Sequence, residues 1–127
     1  ENLDDELTEV KSENAIDRLT AQSVARTLER VPAGARFRVR FVLDILCPED
    51  RELVATLAAG LRLLEDDSLG GGGSRGSGRV HFSSWQVSWR SKAYYLGAEA
   101  EQHLCSAATT AELQAAVSAE SFSGRLI

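Results

Sequence analysis

The densest chemistry in this chain lies between Leu69 and Val80. There Gly70, Gly71, Gly72, Gly73, Ser74, Arg75, Gly76, Ser77, Gly78 and Arg79 follow one another. Glycines leave backbone N–H groups uncovered, and Arg75 and Arg79 add guanidinium groups among them. The run therefore offers a phosphodiester backbone donors and positive charge with few side chains in the way. Gly71, Gly73 and Gly76 also satisfy the spacing G-x-G-x-x-G, but that dinucleotide fingerprint needs a strand before the loop and a helix after it. Here the expected order is helix, loop, strand. No Gly-Lys-Ser/Thr closes the run, so it is not a nucleotide-binding P-loop either. A Gly/Ser run is also the composition of a plain flexible linker, against which the two arginines weigh.

Other residues offer weaker chemistry. Arg36, Arg38 and Arg40 alternate along one stretch and could follow a nucleic-acid backbone, although a charged face is usually just solvated. Asp66 and Asp67 could hold a metal beside the loop, but adjacent residues should diverge, and helix-end carboxylates near Arg75 are the better reading. His81 and His103 have no Ser, Cys or Asp partner at a spacing that would make a catalytic triad. Trp85 and Trp89 share a face with Val87 and read as core, while Tyr94 and Tyr95 near Lys92 read as a packed strand-end cluster. Between Glu13 and Pro32, Arg18, Arg26 and Arg30 surround Ile16, Leu19, Val24 and Leu28 without a clean period. That mixture fits a projecting element with an apolar tip and basic flanks, or else a mobile connection.

The elements that must position these residues follow from periodicity. Residues 36–46 alternate, with Phe37, Val39, Phe41, Leu43 and Ile45 on one side, which predicts a half-buried strand. Pro48 opens a helix whose first turn carries Glu49, Asp50 and Glu52, suited to the positive end of its dipole. Leu53, Leu57, Leu61 and Leu64 then mark an apolar face, and Gly70 begins the stop. After the glycine run, Val80 and Phe82 alternate in one phase and Trp85, Val87 and Trp89 in the other, which predicts a strand bulged at Ser83 and Ser84. From Ala98 onward the alanine-rich tail predicts one or two short helices, one of them beginning at Thr110. The centre thus reads as strand, helix, loop, strand, a βαβ unit of an α+β domain.

With 127 residues, 43% of them apolar and 26% charged, the chain has the composition of one ordinary globular domain. The longest nearly uncharged apolar stretch, Val39 to Cys47, falls far short of the roughly 18 residues a membrane span needs. The net charge of -5 conceals segregation: the start, with Glu1, Asp4, Asp5, Glu6, Glu9 and Glu13, is acidic, and a basic band follows. Cys47 and Cys105 are too few for a disulfide framework and read as buried thiols in a reducing, cytoplasmic setting. There is no methionine, and half of a sheet is all that is visible. Part of a longer protein is expected, with the missing portion before Glu1.

Two segments together carry a resemblance. Leu64-Glu-Asp-Asp-Ser-Leu-Gly-Gly-Gly-Gly-Ser-Arg-Gly-Ser-Gly-Arg-Val80 resembles the C-terminal glycine-rich signature of the RAMP superfamily of CRISPR-associated proteins. Glu9-Val-Lys-Ser-Glu-Asn-Ala-Ile-Asp-Arg-Leu-Thr20, with Leu28-Glu-Arg-Val-Pro-Ala-Gly34, is similar to the backbone subunit of type III-A effector complexes. The resemblance implies an RRM-like, ferredoxin-like fold of which this chain supplies the C-terminal half. Residues 1–35 would be an acidic lead-in and thumb-like segment, 36–97 the strand, helix, loop and strand, and 98–127 a helical tail. It also implies CRISPR RNA and target single-stranded RNA as partners, with copies of the subunit and other subunits of the complex. Residues 70–76, 78 and 79 would contact RNA together with Arg18, Arg26 and Arg30, and Ile16, Leu19, Val24 and Leu28 would form the thumb. Intact family members are target-RNA endoribonucleases using Mg²⁺ or a similar divalent metal, with the catalytic aspartate in the N-terminal half. No catalytic residue and no cofactor are therefore expected in this chain. Ser68 and Ser77 stand where the family commonly shows aromatics. A guide-processing RAMP nuclease with His81 as its base, or a non-catalytic interaction module, are the competing readings.

Overall fold

Two strands come first, β1 (Glu9–Ile16) and β2 (Ser23–Arg30), then a helix α1 (Glu52–Asp66), strand β3 (Ser83–Trp89), a short helix α2 (Lys92–Tyr95), strand β4 (Gln102–Thr109), and helices α3 (Thr110–Val117) and α4 (Glu120–Ser123). The computed structural model describes residues 9–16 and 18–126. The start of the acidic lead-in, with Glu1, Asp4, Asp5 and Glu6, lies outside them. The chain divides into two units, one ending at Phe41 and one beginning at Val42.

In the first unit β1 and β2 form an antiparallel hairpin whose register sets Glu9 opposite Arg30 and Glu13 opposite Arg26. Arg18 and Leu19 lie in the turn. The pairing is regular although the sequence shows no clean alternation, because the backbone hydrogen bonds of an antiparallel pair do not themselves require one apolar face.

The second unit is built on α1. A 3-10 turn at Pro48–Arg51 starts it, and Asp50 Oδ2 accepts the N–H groups of Leu46 at 2.8 Å and Cys47 at 3.0 Å. Those bonds hold the Asp50 carboxyl below its usual range. The helix buries Ala58 and Leu61, with Val54 and Ala55 packed beside them. Its buried stripe is thus turned from the all-leucine face expected, and Leu53 is 44% exposed. The helix also ends at Asp66, before Gly70.

β3 and β4 pair antiparallel, and Val87 faces Cys105 while Ser88 faces His103. Leu104 is therefore an extra residue on β4, a bulge that sits between those two pairs and turns its side chain into the core. The carbonyls of Leu104 and His103 at the bulge accept from Arg125 at 2.9 and 3.3 Å. Leu104, Ala107, Leu113, Val117, Phe122 and Leu126 close the core with Ala58, and Trp85, Val87 and Trp89 pack against it. At roughly 1.5 to 3 kcal/mol for each fully buried large side chain, these contacts are the main source of stability.

Several expectations are corrected here. Residues 36–46 form no strand; no described strand pairs with them, and Phe37 and Val39 are exposed, so the described residues hold no βαβ unit. The bulge lies not at the two serines but opposite Val87/Ser88, and β3 starts only at Ser83, although Ser84 does carry a left-handed φ of 59°. The tail is not merely helical: β4 lies in it and supplies the partner for β3. Cys47 is exposed and Cys105 partly buried. A hydrogen bond with Glu49 pushes the Cys47 thiol up, and burial does the same for Cys105.

Candidate nucleic-acid interface

The glycine run is a folded loop rather than a slack linker. Asp67 leaves the helix with φ -108° and ψ -143°, and the loop closes on itself where Leu69 N donates to the carbonyl of Gly78 at 2.8 Å. Inside, a 3-10 turn spans Gly73–Arg75 between Gly72 and Gly76, both left-handed. Gly72 O accepts from Arg75 N at 3.0 Å and Ser77 N at 3.3 Å, and Gly73 O accepts from Gly76 N at 3.0 Å. Side chains are excluded at Gly78, where φ is +82° and a Cβ would collide with the Leu69 carbonyl. Part of the backbone donor set is thus spent on the loop itself. Among the described residues, the N–H groups of Gly70, Gly71 and Gly72 donate to no protein acceptor.

Both ends of this loop are held by one carboxylate. Glu65, in the last turn of α1, presents Oε1 to the N–H of Phe82 at 2.7 Å and to the hydroxyl of Thr110 at 2.9 Å. That hydroxyl, on a residue 1% exposed, also accepts from Trp85 Nε1 at 3.2 Å. His81 Nδ1 lies 3.3 Å from the same oxygen, its side chain 73% exposed. The spacing of the two residues in the sequence does not announce this approach, because Glu65 and His81 meet only when the loop closes.

Beneath the loop is a shallow cavity of about 360 Å³ lined by Asp66, Asp67, Ser68, Gly73, Ser74, Gly76, Ser77 and Arg79. Asp66 and Asp67 both border it, Asp67 having left the helical path. Both are exposed, as is Arg79. Among the described residues no three His, Cys, Asp or Glu come together to hold a metal, so the residues here do not fit a divalent-metal nuclease centre. No helix among them is long and apolar enough to cross a membrane.

The structure thus brings residues 70–79 into one place. The thumb candidates belong to the other unit: Ile16 and Val24 stand opposite Ser23 and Ala15, Leu28 opposite Lys11, and Arg26 and Arg30 opposite acidic residues. Leu19, in the turn, is 97% exposed, and Arg18 beside it is exposed too. Trp85 and Trp89 pack on the core rather than offering platforms. Tyr94 lies under the Arg90 guanidinium at 5.2 Å and edge-on to Tyr95. Arg90 is in turn bonded to Glu101 at 2.7 Å, which raises its pKa.

No family model matches the chain. It is 43% identical over 94 residues to the CRISPR system Cms endoribonuclease Csm3 of Methanocaldococcus jannaschii, an alignment covering 72% of this chain and 38% of that protein. Against the protein of the same name from Mycobacterium tuberculosis it is 41% identical over 92 residues, 61% of this chain and 39% of the relative. Against that of Streptococcus thermophilus it is 41% identical over 78 residues, 59% and 36%. The chain spans less than two-fifths of the length of these curated relatives.

Proposed function

This chain belongs to the Csm3-type branch of the RAMP superfamily of CRISPR-associated proteins, subunits of type III-A systems, and from that premise we propose that it holds CRISPR RNA along its glycine-rich loop. The observation that supports this is the loop's construction: a closed, positively charged turn with exposed backbone donors at Gly70–Gly72, fixed to the core at both ends by Glu65. A rigid frame of amides and guanidinium groups binds phosphates without reading bases. In this reading the chain is the C-terminal half of an RRM-like backbone subunit, copies of which line up with other subunits along the guide and present it to target RNA. The hairpin, with Leu19 exposed at its turn, is the thumb that wedges between guide and target.

Cleavage of target RNA with a divalent metal belongs to the whole protein, through residues that this chain does not supply. The competing reading, a guide-processing nuclease, is favoured by one observation, the approach of Glu65 to His81. A carboxylate behind an imidazole orients it as a base for a ribose hydroxyl. The proposal is tested by measuring the affinity of the protein for single-stranded RNAs of unrelated sequence across a salt series. Equal affinities that fall steeply with salt are expected; affinity that ignores salt, or strongly prefers one sequence, overturns it.

A further inference from the structure

His81 stands two residues beyond Arg79, where the glycine run ends. Its side chain is largely exposed, yet the ring is anchored on one side: Nδ1 lies 3.3 Å from Glu65 Oε1. That oxygen is itself fixed by the Phe82 N–H and the buried Thr110 hydroxyl. A carboxylate only accepts hydrogen bonds, so it draws the hydrogen of the neutral ring to Nδ1 and leaves Nε2, on the far side, with a lone pair. A lone pair cannot bond a phosphate, whose oxygens also only accept. Taking up a proton reverses this, because both ring nitrogens of histidinium are donors, one for Glu65 and one for a ligand outside. The backbone from Gly78 to His81 spans at most about 11 Å, and Gly78 is bonded to Leu69, next to the amides of Gly70–Gly72. His81 thus stands near any phosphate held by those amides or by Arg79.

We propose that His81 is a phosphate ligand only in its protonated form, so that RNA binding at the loop takes up a proton from solvent at this residue. The inference rests on the reading of the loop as a phosphate-binding element and adds to it a ligand that responds to pH. Glu65 is the positioning residue: it aims Nε2 outward and offsets the charge of the imidazolium. Among the described residues Glu65, from α1, is the charged group within ion-pair range of the ring. Arg79, on the same segment, is exposed and opposes a second positive charge until a phosphate binds to both. Asp66 and Asp67 border the cavity beyond Glu65, and Glu112 of α3 is held by the Ala108 N–H at 2.9 Å. Histidine ordinarily changes charge between pH 5 and 8, whereas arginine keeps its charge throughout. Binding through Arg75, Arg79 and backbone amides alone is therefore flat over that range.

The test measures the affinity of the protein for oligouridylate at fixed salt in EDTA, from about pH 5.5 to pH 8, with H81A, H81R and H103A variants alongside. The unsubstituted protein should bind about tenfold more tightly at the acid end, the usual effect of one charge-assisted hydrogen bond. H81A should lose that rise and keep its salt dependence, and H81R should bind tightly at every pH. H103A should behave as the unsubstituted protein, because His103 is on β4, against Ser106 Oγ at 3.0 Å. Imidazole NMR signals give a readout that a merely structural histidine would not move: RNA should raise the titration midpoint of His81 and leave that of His103 in place. Salt-dependent binding that is flat with pH, a rise that persists in H81A, or an unmoved His81 midpoint overturns the inference while leaving phosphate binding intact. RNA cleavage in EDTA that H81A abolishes overturns it too, since the ring would then serve as a base. Binding that ignores salt overturns the phosphate reading together with it.

Discussion

The carboxylate of Glu65 and the hydroxyl of Thr110 meet at 2.9 Å across 45 residues of chain, and this contact joins the end of α1 to the start of α3 at the root of the glycine loop. Thr110 is nearly inaccessible, so neither water nor another side chain can take over if the bond is lost. Thr110→Val should therefore lower stability by about 1 to 3 kcal/mol, since it removes the buried hydroxyl that accepts from Trp85 Nε1 and donates to Glu65 Oε1. Urea unfolding followed by tryptophan fluorescence reads this directly; an unchanged midpoint would show that the network adds nothing to the fold.

Arg75→Ala should reduce the slope of log affinity against log salt for single-stranded RNA by about 0.7, the contribution of one phosphate contact on a single strand. Arg75 is exposed, so the folded population should be unaffected. A slope equal to that of the unsubstituted protein would remove Arg75 from the contact surface.

Gly78→Ala introduces a Cβ against the Leu69 carbonyl at a left-handed backbone position. The expected cost is about 1 to 3 kcal/mol of loop strain, relieved by opening the Leu69–Gly78 closure. RNA affinity should fall several-fold while the core spectrum is retained. Hydrogen exchange at the Leu69 amide measures the opening, and continued protection there would refute it.

Acid sensitivity should include a contribution from Asp50. Its carboxyl is held low by the Leu46 and Cys47 amides. The stability it adds is thus present above the unfolded value near 3.9 and disappears as pH falls through the lower folded value. The gap in urea midpoint between the protein and its D50N variant should be constant at neutral pH and close in strong acid. A gap that persists at the lowest pH would assign the effect to shape rather than charge.

Deleting residues 15–28 should abolish periodic unstacking of a fluorescent base analogue along the guide on target binding, while guide affinity stays largely intact. Unstacking costs a few kcal/mol and needs an inserted apolar group, which Leu19 at the hairpin turn can supply. A signal that survives the deletion would reassign the thumb role.

The loop was legible in the sequence because glycine density and two arginines are local features, and α3 was legible from Thr110, Leu113, Ala116 and Val117. What was not legible depended on distant partners. The alternation at 36–46 was real, but a period of two shows only which side chains share a face, and no described strand pairs with it. β4 was missed because Gln102–Thr109 is rich in alanine and small polar residues, so its strand state comes from pairing with β3 rather than from propensity. Glu65 carried no signal, since Phe82 and Thr110 lie 17 and 45 residues away. Nor did any sequence pattern announce that Asp67 leaves the helical path beside Asp66.

The clamp at Glu65 and the Leu69–Gly78 closure fix where the loop begins and ends, but neither depends on how many residues lie between. The entropy of closing a flexible segment grows only logarithmically, about 0.6 kcal/mol for each doubling in length. Insertions between Gly70 and Ser77 would thus leave the core nearly undisturbed. Loop length is a freely adjustable coordinate, through which variants of this protein can alter their reach over a bound strand without renegotiating the fold beneath.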